Sequence, residues 1–331
     1  MLMKEKSLSD LNMPKVSIIV PVYGVESYIE KCARSLFEQT LEDIEFIFVD
    51  DCTKDRSIEI LKSVLKEYPN REKQVSILKH DCNKGLPIAR YTGVKASNGE
   101  YIFHCDSDDW VSLDMCETLY NVATEKRTDI LICDYYVENG NKTVIARGCS
   151  NEKSKDEILR NMFPGKVPFM VWNKFVKSDL YKNNIMYPTE THAEDMALVI
   201  QLCYYAKSIY YLPKAYYHYK VDSNTALHIM TDDLYLRNFY QSIKNAILLE
   251  NFFKNKMTNK LIYEGIEYAK LIQRDRLLPL IQQPKYFNLW LSTFPEVQYN
   301  ILLNSSVSLV HKIKYVIIRM HLYCLIRKFV S

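Results

Sequence analysis

Residues Tyr101, Ile102, Phe103, His104 and Cys105 form a short strand-like run that leads directly into Asp106, Ser107, Asp108 and Asp109. Three carboxylates at the end of a buried strand repel one another and resist leaving water. A hard divalent cation, which takes oxygen ligands, relieves both costs. A second carboxylate pair, Asp50 and Asp51, closes the apolar run Glu45-Phe46-Ile47-Phe48-Val49. A third, Glu194 and Asp195, opens a stretch with helical spacing (Ala197, Leu198, Ile200, Leu202). The helix dipole favours carboxylates in a first turn, which by itself only stabilises the helix. The same field holds a carboxylate ionised at neutral pH, as a general base requires.

The elements that must carry these groups follow from the apolar pattern. Val16–Val20, Glu45–Val49, Val75–Leu78 and Tyr101–Cys105 read as strands. Between them, Glu26–Gln39, a segment opening at Thr53–Asp55, and Pro87–Ala96 read as helices. Alternating strands and helices with short loops predict a parallel sheet with helices on both faces. Ligands of such sheets sit at the carboxyl ends of the strands. Three of these four ends carry groups suited to that: Pro21-Val22-Tyr23, Asp50-Asp51 and Asp106 to Asp109. The chain has only eight Gly, no GxG and no GxxxxGK[ST], which disfavours a dinucleotide-binding dehydrogenase and a P-loop enzyme. A bound nucleotide would then be held by an aromatic ring, a carboxylate and a metal.

Bulk composition adds limits. Of the 331 residues, 43 are basic and 40 acidic, so net charge gives no argument for nucleic acid as a partner. The nine Cys include no CxxC pair, which argues against a disulfide framework or a zinc site. With a polar N-terminal stretch in place of a signal peptide, the expectation is the reducing cytoplasm. No apolar run reaches the length of a membrane span.

Three segments, VSIIVPVYGVESYIEKCARSLFEQT, EFIFVDDCTKDRS and NKGLPIARYTGVKASNGEYIFHCDSDD, resemble in order and spacing the N-terminal half of the inverting family 2 glycosyltransferases, over roughly Pro14 to Trp110. The resemblance implies a GT-A fold: an α/β architecture, Rossmann-like, with a mostly parallel central sheet, flanking helices and, in this chain, a C-terminal helical region. It implies a nucleotide-sugar donor, by expectation a UDP-sugar, and Mn2+ or Mg2+ as cofactor. Pro21 and Tyr23 would border the base, with Glu26 in the same loop counted on the donor side. Asp51, beside Asp50, would accept from a uracil-like N–H. Lys84 and Arg90 would lie near the nucleotide, Arg90 also supporting the carboxylates; Asp106 and Ser107 would lie near the ribose, and Asp109 would orient the strand end or face the sugar. Asp108 would ligate the metal, with His218 a candidate further ligand. Asp195 would be the base, supported by Glu194. Cys52 stands where the family often has Gly and reads as a variant turn residue.

In the second half, Asp129–Asp134 reads as a strand, Glu138–Gly148 as a turn-rich excursion and Lys155–Phe163 as a helix. Trp172 is either an acceptor platform or core. Ile209–Tyr211 and Ala215–Tyr219 read as two strands around Leu212-Pro213, with His218, Lys220 and Ser223 candidates for closing over a diphosphate. Leu234–Phe253, Leu261–Ile281 and Ser306–Phe329 have helical periodicity. No acidic residue follows Glu296, while Lys312, Lys314, Arg319, Arg327 and Lys328 punctuate apolar positions. Such a basic amphipathic helix suits an anionic inner-leaflet surface, its neighbours in the fold, or a second subunit. The expected organisation is a catalytic domain over 14–225 and a helical region over 226–331 for acceptor, oligomer or membrane-surface contacts. The expected acceptor is a glycan or lipid-linked glycan in surface polysaccharide assembly. Two alternatives are a sugar-nucleotide nucleotidyltransferase, whose Gly-rich loop PVYGVESYI lacks, and an inactive nucleotide-sugar-binding scaffold, in which loss of Asp108 or Asp195 would be expected.

Overall fold

The computed structural model describes residues 13–149, 154–221, 231–256 and 260–320. They divide into two compact units: Met1–Cys149 with Met170–Ile185 and Tyr205–Ser223, and Ser150–Phe169 with Met186–Tyr204 and Asn224–Ser331. The chain therefore crosses between the units several times.

The first unit holds a single sheet. Its first strands and helices alternate as expected: β1 (Val16–Val22), α1 (Ile29–Phe37), β2 (Ile44–Asp50), α2 (Ser57–Leu65), β3 (Val75–Lys79), α3 (Leu86–Ala96) and β4 (Tyr101–His104). β5 (Trp110–Val111), α4 (Met115–Lys126), β6 (Ile130–Asn139) and β7 (Lys142–Ala146) follow. The strand order is β3-β2-β1-β4, all parallel. β1 is buried along its whole length, which is why it reads as an unbroken apolar run and not an alternating one. Val22 lies opposite Asp50 and Ile19 opposite His104, so the three carboxyl ends fall at one edge of the sheet.

Beyond β4 the sheet becomes mixed. β8 (Lys174–Lys177) runs antiparallel to both β4 and β6. β9 (Ile209–Lys220) runs parallel to β6 and also pairs with β5. Two local expectations change and one open alternative is decided. Leu212-Pro213 does not divide two strands, because the register shift between Cys133 and Tyr135 of β6 absorbs the extra residues and keeps β9 continuous. Glu138–Gly148 is not irregular: it holds a hairpin of β6 and β7 that turns at Gly140, whose φ is +58°. Trp172 is core, buried and stacked on Tyr217 at 4.5 Å.

The second unit is helical: α5 (Lys155–Met162), α6 (Glu194–Tyr205), α7 (Asp232–Phe253), α8 (Lys260–Asp275), α9 (Pro284–Ser292), α10 (Val297–Asn300) and α11 (Leu309–Arg319). Its core gathers Phe239, Leu271, Trp290, Tyr315 and Ile318, with the Arg274 guanidinium 4.1 Å above the Trp290 ring. α8 stops at Asp275, six residues before the expected end, and a 3-10 turn over Leu278–Leu280 replaces its last part because Pro279 cannot extend the α-helical ladder. The rest of the expected Ser306–Phe329 helix, with Arg327 and Lys328, lies outside the described residues, as does Ser223. No helix among the described residues is long and apolar enough to cross a membrane.

One glycine sets how α3 lies on the sheet. A Cβ on Gly93 would stand 2.3 Å from Ile19 Cγ2 of β1. Gly93→Ala should therefore destabilise the protein by about 1–3 kcal/mol through overpacking, read as a lower urea midpoint with an unchanged slope. A midpoint equal to the wild type would show that α3 does not need this close approach.

Candidate active site

The loops after β1 and β2 are tied to each other. The amide of Gly24 donates to Thr53 Oγ1 at 2.9 Å and that of Glu26 to Asp55 Oδ2 at 2.9 Å. In return, the Arg56 amide donates to Glu26 Oε2 at 3.1 Å. Burial alone would raise the Asp55 carboxyl, but hydrogen bonds from Ser57, Thr53 and the Glu26 amide outweigh it and hold it at about 2. Asp55 is thus an anionic staple between two loops. Pro21 is buried, whereas Tyr23 is half exposed beside them. Cys52 has φ +58°, the left-handed region that favours glycine, which accounts for a Gly-like role at a tight turn.

Asp50 and Asp51 are both buried at the end of β2. Asp50 Oδ1 accepts from the Thr53 amide at 2.9 Å. Asp51 clamps the next loop: its oxygens accept from the amides of Lys84 and Gly85, both at 2.8 Å. His80 Nδ1 lies 2.7 Å from Asp51 Oδ1, and His80 Nε2 lies 2.9 Å from Thr92 Oγ1. Gly85, with φ +88°, then starts α3, and the Lys84 ammonium turns back to Asp81 at 2.8 Å.

Arg90, one turn into α3, is buried and donates through Nη2 to Asp106 Oδ1 at 2.6 Å. This joins α3 to the turn after β4. Asp109 folds under the same turn, 2% exposed. It accepts from Tyr217 Oη at 2.7 Å and from the Lys220 amide at 2.7 Å. The Tyr217 oxygen in turn accepts from the Asp106 amide at 3.0 Å. Burial, then the charges of Asp108 and Asp106, push the Asp109 carboxyl up to about 8 against those hydrogen bonds. Ser107 is buried, and Asp108 is the exposed member of the turn.

Asp108 borders a cleft of about 380 Å³, whose other walls include Tyr28, Lys31, Trp110, Glu138 and Lys220. The Lys31 ammonium lies 2.9 Å above the Trp110 ring, and that of Lys220 lies 3.6 Å above Tyr28. His218 is held between Trp110 and Tyr136, with ring centroids at 5.2 and 4.4 Å. Its Nδ1 lies 2.7 Å from Glu138 Oε1 and its Nε2 3.3 Å from Ser112 Oγ. Binding a metal would require one of these nitrogens to leave its partner. Among the described residues, no three His, Cys, Asp or Glu side chains converge as a metal site.

Glu194 and Asp195 belong to the second unit, at the start of α6. Glu194 is buried and Asp195 half-buried. The residue before them, Ala193, has φ +64°, a strained conformation for a residue with a Cβ. Asn245 of α7 holds this turn by donating to the carbonyls of Glu190 and His192 at 2.7 and 2.8 Å. The first unit thus gathers Pro21, Tyr23, Asp50, Asp51, Asp106 and Asp108 at the ends of neighbouring strands, with Arg90 of α3 paired to Asp106, while the Glu194–Asp195 pair stands on the other unit.

Sequence reasoning missed His80, Thr92, Tyr217 and Asn245. Tyr217 is one of 25 Tyr, and nothing in its local pattern marks it. Only strand pairing brings β9 beside the carboxylate turn.

Residues 17–182, half of the chain, match the family described as Glycosyl transferase family 2. The chain belongs to this family. It is 32% identical over 220 residues to the protein EpsH of Bacillus subtilis, a stretch that spans 64% of this chain and 62% of EpsH. The chain therefore matches less than two thirds of that relative's length. It is 28% identical over 274 residues to the poly(ribitol-phosphate) beta-N-acetylglucosaminyltransferase TarP of Staphylococcus aureus, covering 76% of this chain and 81% of TarP. Among solved structures, that of S. aureus TarS 1-349 with UDP-GlcNAc superposes with a TM-score of 0.56 at 20% identity, over 79% of this chain and 81% of that 1-349 chain. That likeness establishes the GT-A fold.

The raised Asp109 carboxyl has a consequence for stability. The native protein keeps a proton there that the unfolded chain releases near the ordinary carboxylate value, so native stability falls as pH rises from about 4 toward 8. Without added metal, the wild type should lose thermal stability between pH 6 and 9 relative to Asp109→Asn. Parallel melting curves for the two proteins would contradict this.

Proposed function

We propose that the chain transfers a sugar from a nucleoside diphosphate donor, a UDP-sugar, to an acceptor hydroxyl with inversion. The observation that carries this is the carboxylate turn after β4. Burial, then the neighbouring charges of Asp108 and Asp106, raise the Asp109 carboxyl to about 8, and the exposed Asp108 borders the cleft. A site of that charge fits a divalent cation, Mn2+ or Mg2+, on Asp108. With no cluster of three protein ligands among the described residues, the remaining oxygens would come from donor phosphates and water. When bound, such a cation would offset the charge that develops on the departing diphosphate.

The chain's own residues take the other roles. Tyr23 and Pro21 border the base, and the buried Asp51 presents its carboxylate edge to the base N–H while clamping the 84–85 loop. Asp50 and Glu26 hold the β2 and β1 loops in place, and Lys84 reaches the donor from the loop that Asp51 clamps. Asp106, fixed by Arg90, addresses the ribose, with Ser107 beside it. Asp109 braces the turn through Tyr217. His218, stacked on Trp110 and hydrogen-bonded to Glu138, backs two residues that line the cleft and would serve as a further metal ligand only by releasing one of its partners. On the second unit, Asp195 accepts the acceptor hydroxyl's proton as its oxygen bonds to the anomeric carbon and the bond to the diphosphate breaks. Glu194 supports it.

Residues 14–225 would carry this chemistry and 226–331 would add acceptor or surface contacts. The acceptor class, a glycan or lipid-linked glycan of a bacterial surface polymer assembled from the cytoplasmic side, rests on the family and on the polymer named for TarP.

A panel of UDP-sugars with Mn2+ tests this through released UDP. Release should stop with EDTA and with Asp108→Asn, and Asp195→Asn should slow acceptor-dependent release by roughly 10²- to 10⁴-fold. Release that survives EDTA, or that Asp195→Asn leaves unchanged, would overturn the mechanism.

A further inference from the structure

α11 carries two apolar stripes, and only one is used by the fold. His311, Tyr315 and Ile318, spaced four and three residues apart, face inward: Tyr315 lies 5.9 Å from the Trp290 ring and His311 5.9 Å from Tyr268. Leu309, Ile313, Val316 and Met320, spaced four, three and four apart, fall on the opposite face at 3.6 residues per turn. All four are exposed, Leu309 at 71%. Val310 and the preceding loop residues Leu302 and Leu303 extend the same exposed apolar set, with Leu303 at 82%. Lys312 donates to the Leu302 carbonyl at 2.8 Å and so ties this loop to the helix.

Charge decides what this face meets. Lys312 and Arg319 lie along one side of the exposed stripe and Lys314 toward the other, while residues 297–331 contain no Asp or Glu. A helix with leucine, isoleucine and valine on one face, flanked by lysine and arginine, is the pattern of an element lying in a bilayer interface. A second copy of the chain meeting this face about a two-fold axis would set the basic flanks against each other. Lysine is also depleted at protein interfaces.

We infer that the 302–320 segment docks the protein on an anionic phospholipid surface, with the Leu309–Ile313–Val316–Met320 stripe entering the headgroup layer and Lys312, Lys314 and Arg319 meeting lipid phosphates. This does not depend on the transfer chemistry. It would place the enzyme where a lipid-linked substrate is presented.

Co-sedimentation of the full chain with vesicles tests it. Vesicles containing about one third phosphatidylglycerol should bind the protein, and vesicles of phosphatidylcholine alone should bind it at least about tenfold more weakly. High salt should release it. Leu309→Ser/Ile313→Ser/Val316→Ser should cut binding by at least about tenfold. Lys314→Gln/Arg319→Gln should weaken binding to anionic vesicles by more than about tenfold and leave binding to neutral ones unchanged. Both variants should melt close to the wild type and release UDP at its rate, because none of the substituted residues is buried. Binding to neither vesicle would overturn the inference. So would a concentration-dependent dimer in light scattering that the triple serine variant abolishes, since the face would then belong to a second copy.

Discussion

The first unit depends on how several carboxylates are kept near one another at the end of a sheet. Asp106, Asp108 and Asp109 cannot all be buried and ionised without compensation. The fold treats each differently. Asp106 is matched by a buried guanidinium at 2.6 Å, Asp109 is buried under a tyrosine hydroxyl and a backbone amide, and Asp108 is left at the surface of the cleft. The buried member takes the energetic penalty as a raised carboxyl, and the exposed one stands at the cleft. The arrangement makes sense for a site whose charge is completed by something it binds.

The rest of the first unit keeps that turn in position. β1 and β2 bring their ends level with β4 through register, and Gly93 lets α3 lie close enough for Arg90 to reach Asp106. Asp51, next to the end of β2, and Asp55, in the loop that follows, fasten neighbouring loops by accepting backbone amides. β9 supplies Tyr217 and the Lys220 amide from far along the chain and closes the turn from the other side. The same strand carries His218 into an aromatic stack with Trp110 and Tyr136, which makes one cleft wall rigid. The second unit has its own core and holds the Glu194–Asp195 turn by Asn245, behind a strained Ala193.

Much of the first unit was legible in the sequence. The four apolar runs, their carboxylate ends and the intervening helical spacing appear as read, because parallel strands buried on both faces leave unbroken apolar runs and their loops are short. The legible part weakens past Asp129, where pairing is set by partners far away in the chain. The hairpin at Gly140 and the continuity of β9 through Pro213 depend on the register shift of β6, which no local pattern announces. α8 ends where Pro279 imposes a break that its apolar periodicity conceals.

The sequence by itself determined the α/β class, the family, and which strand ends bear carboxylates, since these follow from residue types in local order. Tertiary structure alone decided which of those carboxylates is buried, paired or exposed. It also decided that Tyr217 stands beside Asp109, that His80 stands behind Asp51, and that α11 turns one apolar stripe inward and the other to the surface. Those outcomes depend on desolvation and on contacts between residues as many as 111 positions apart, energies that a local pattern does not contain.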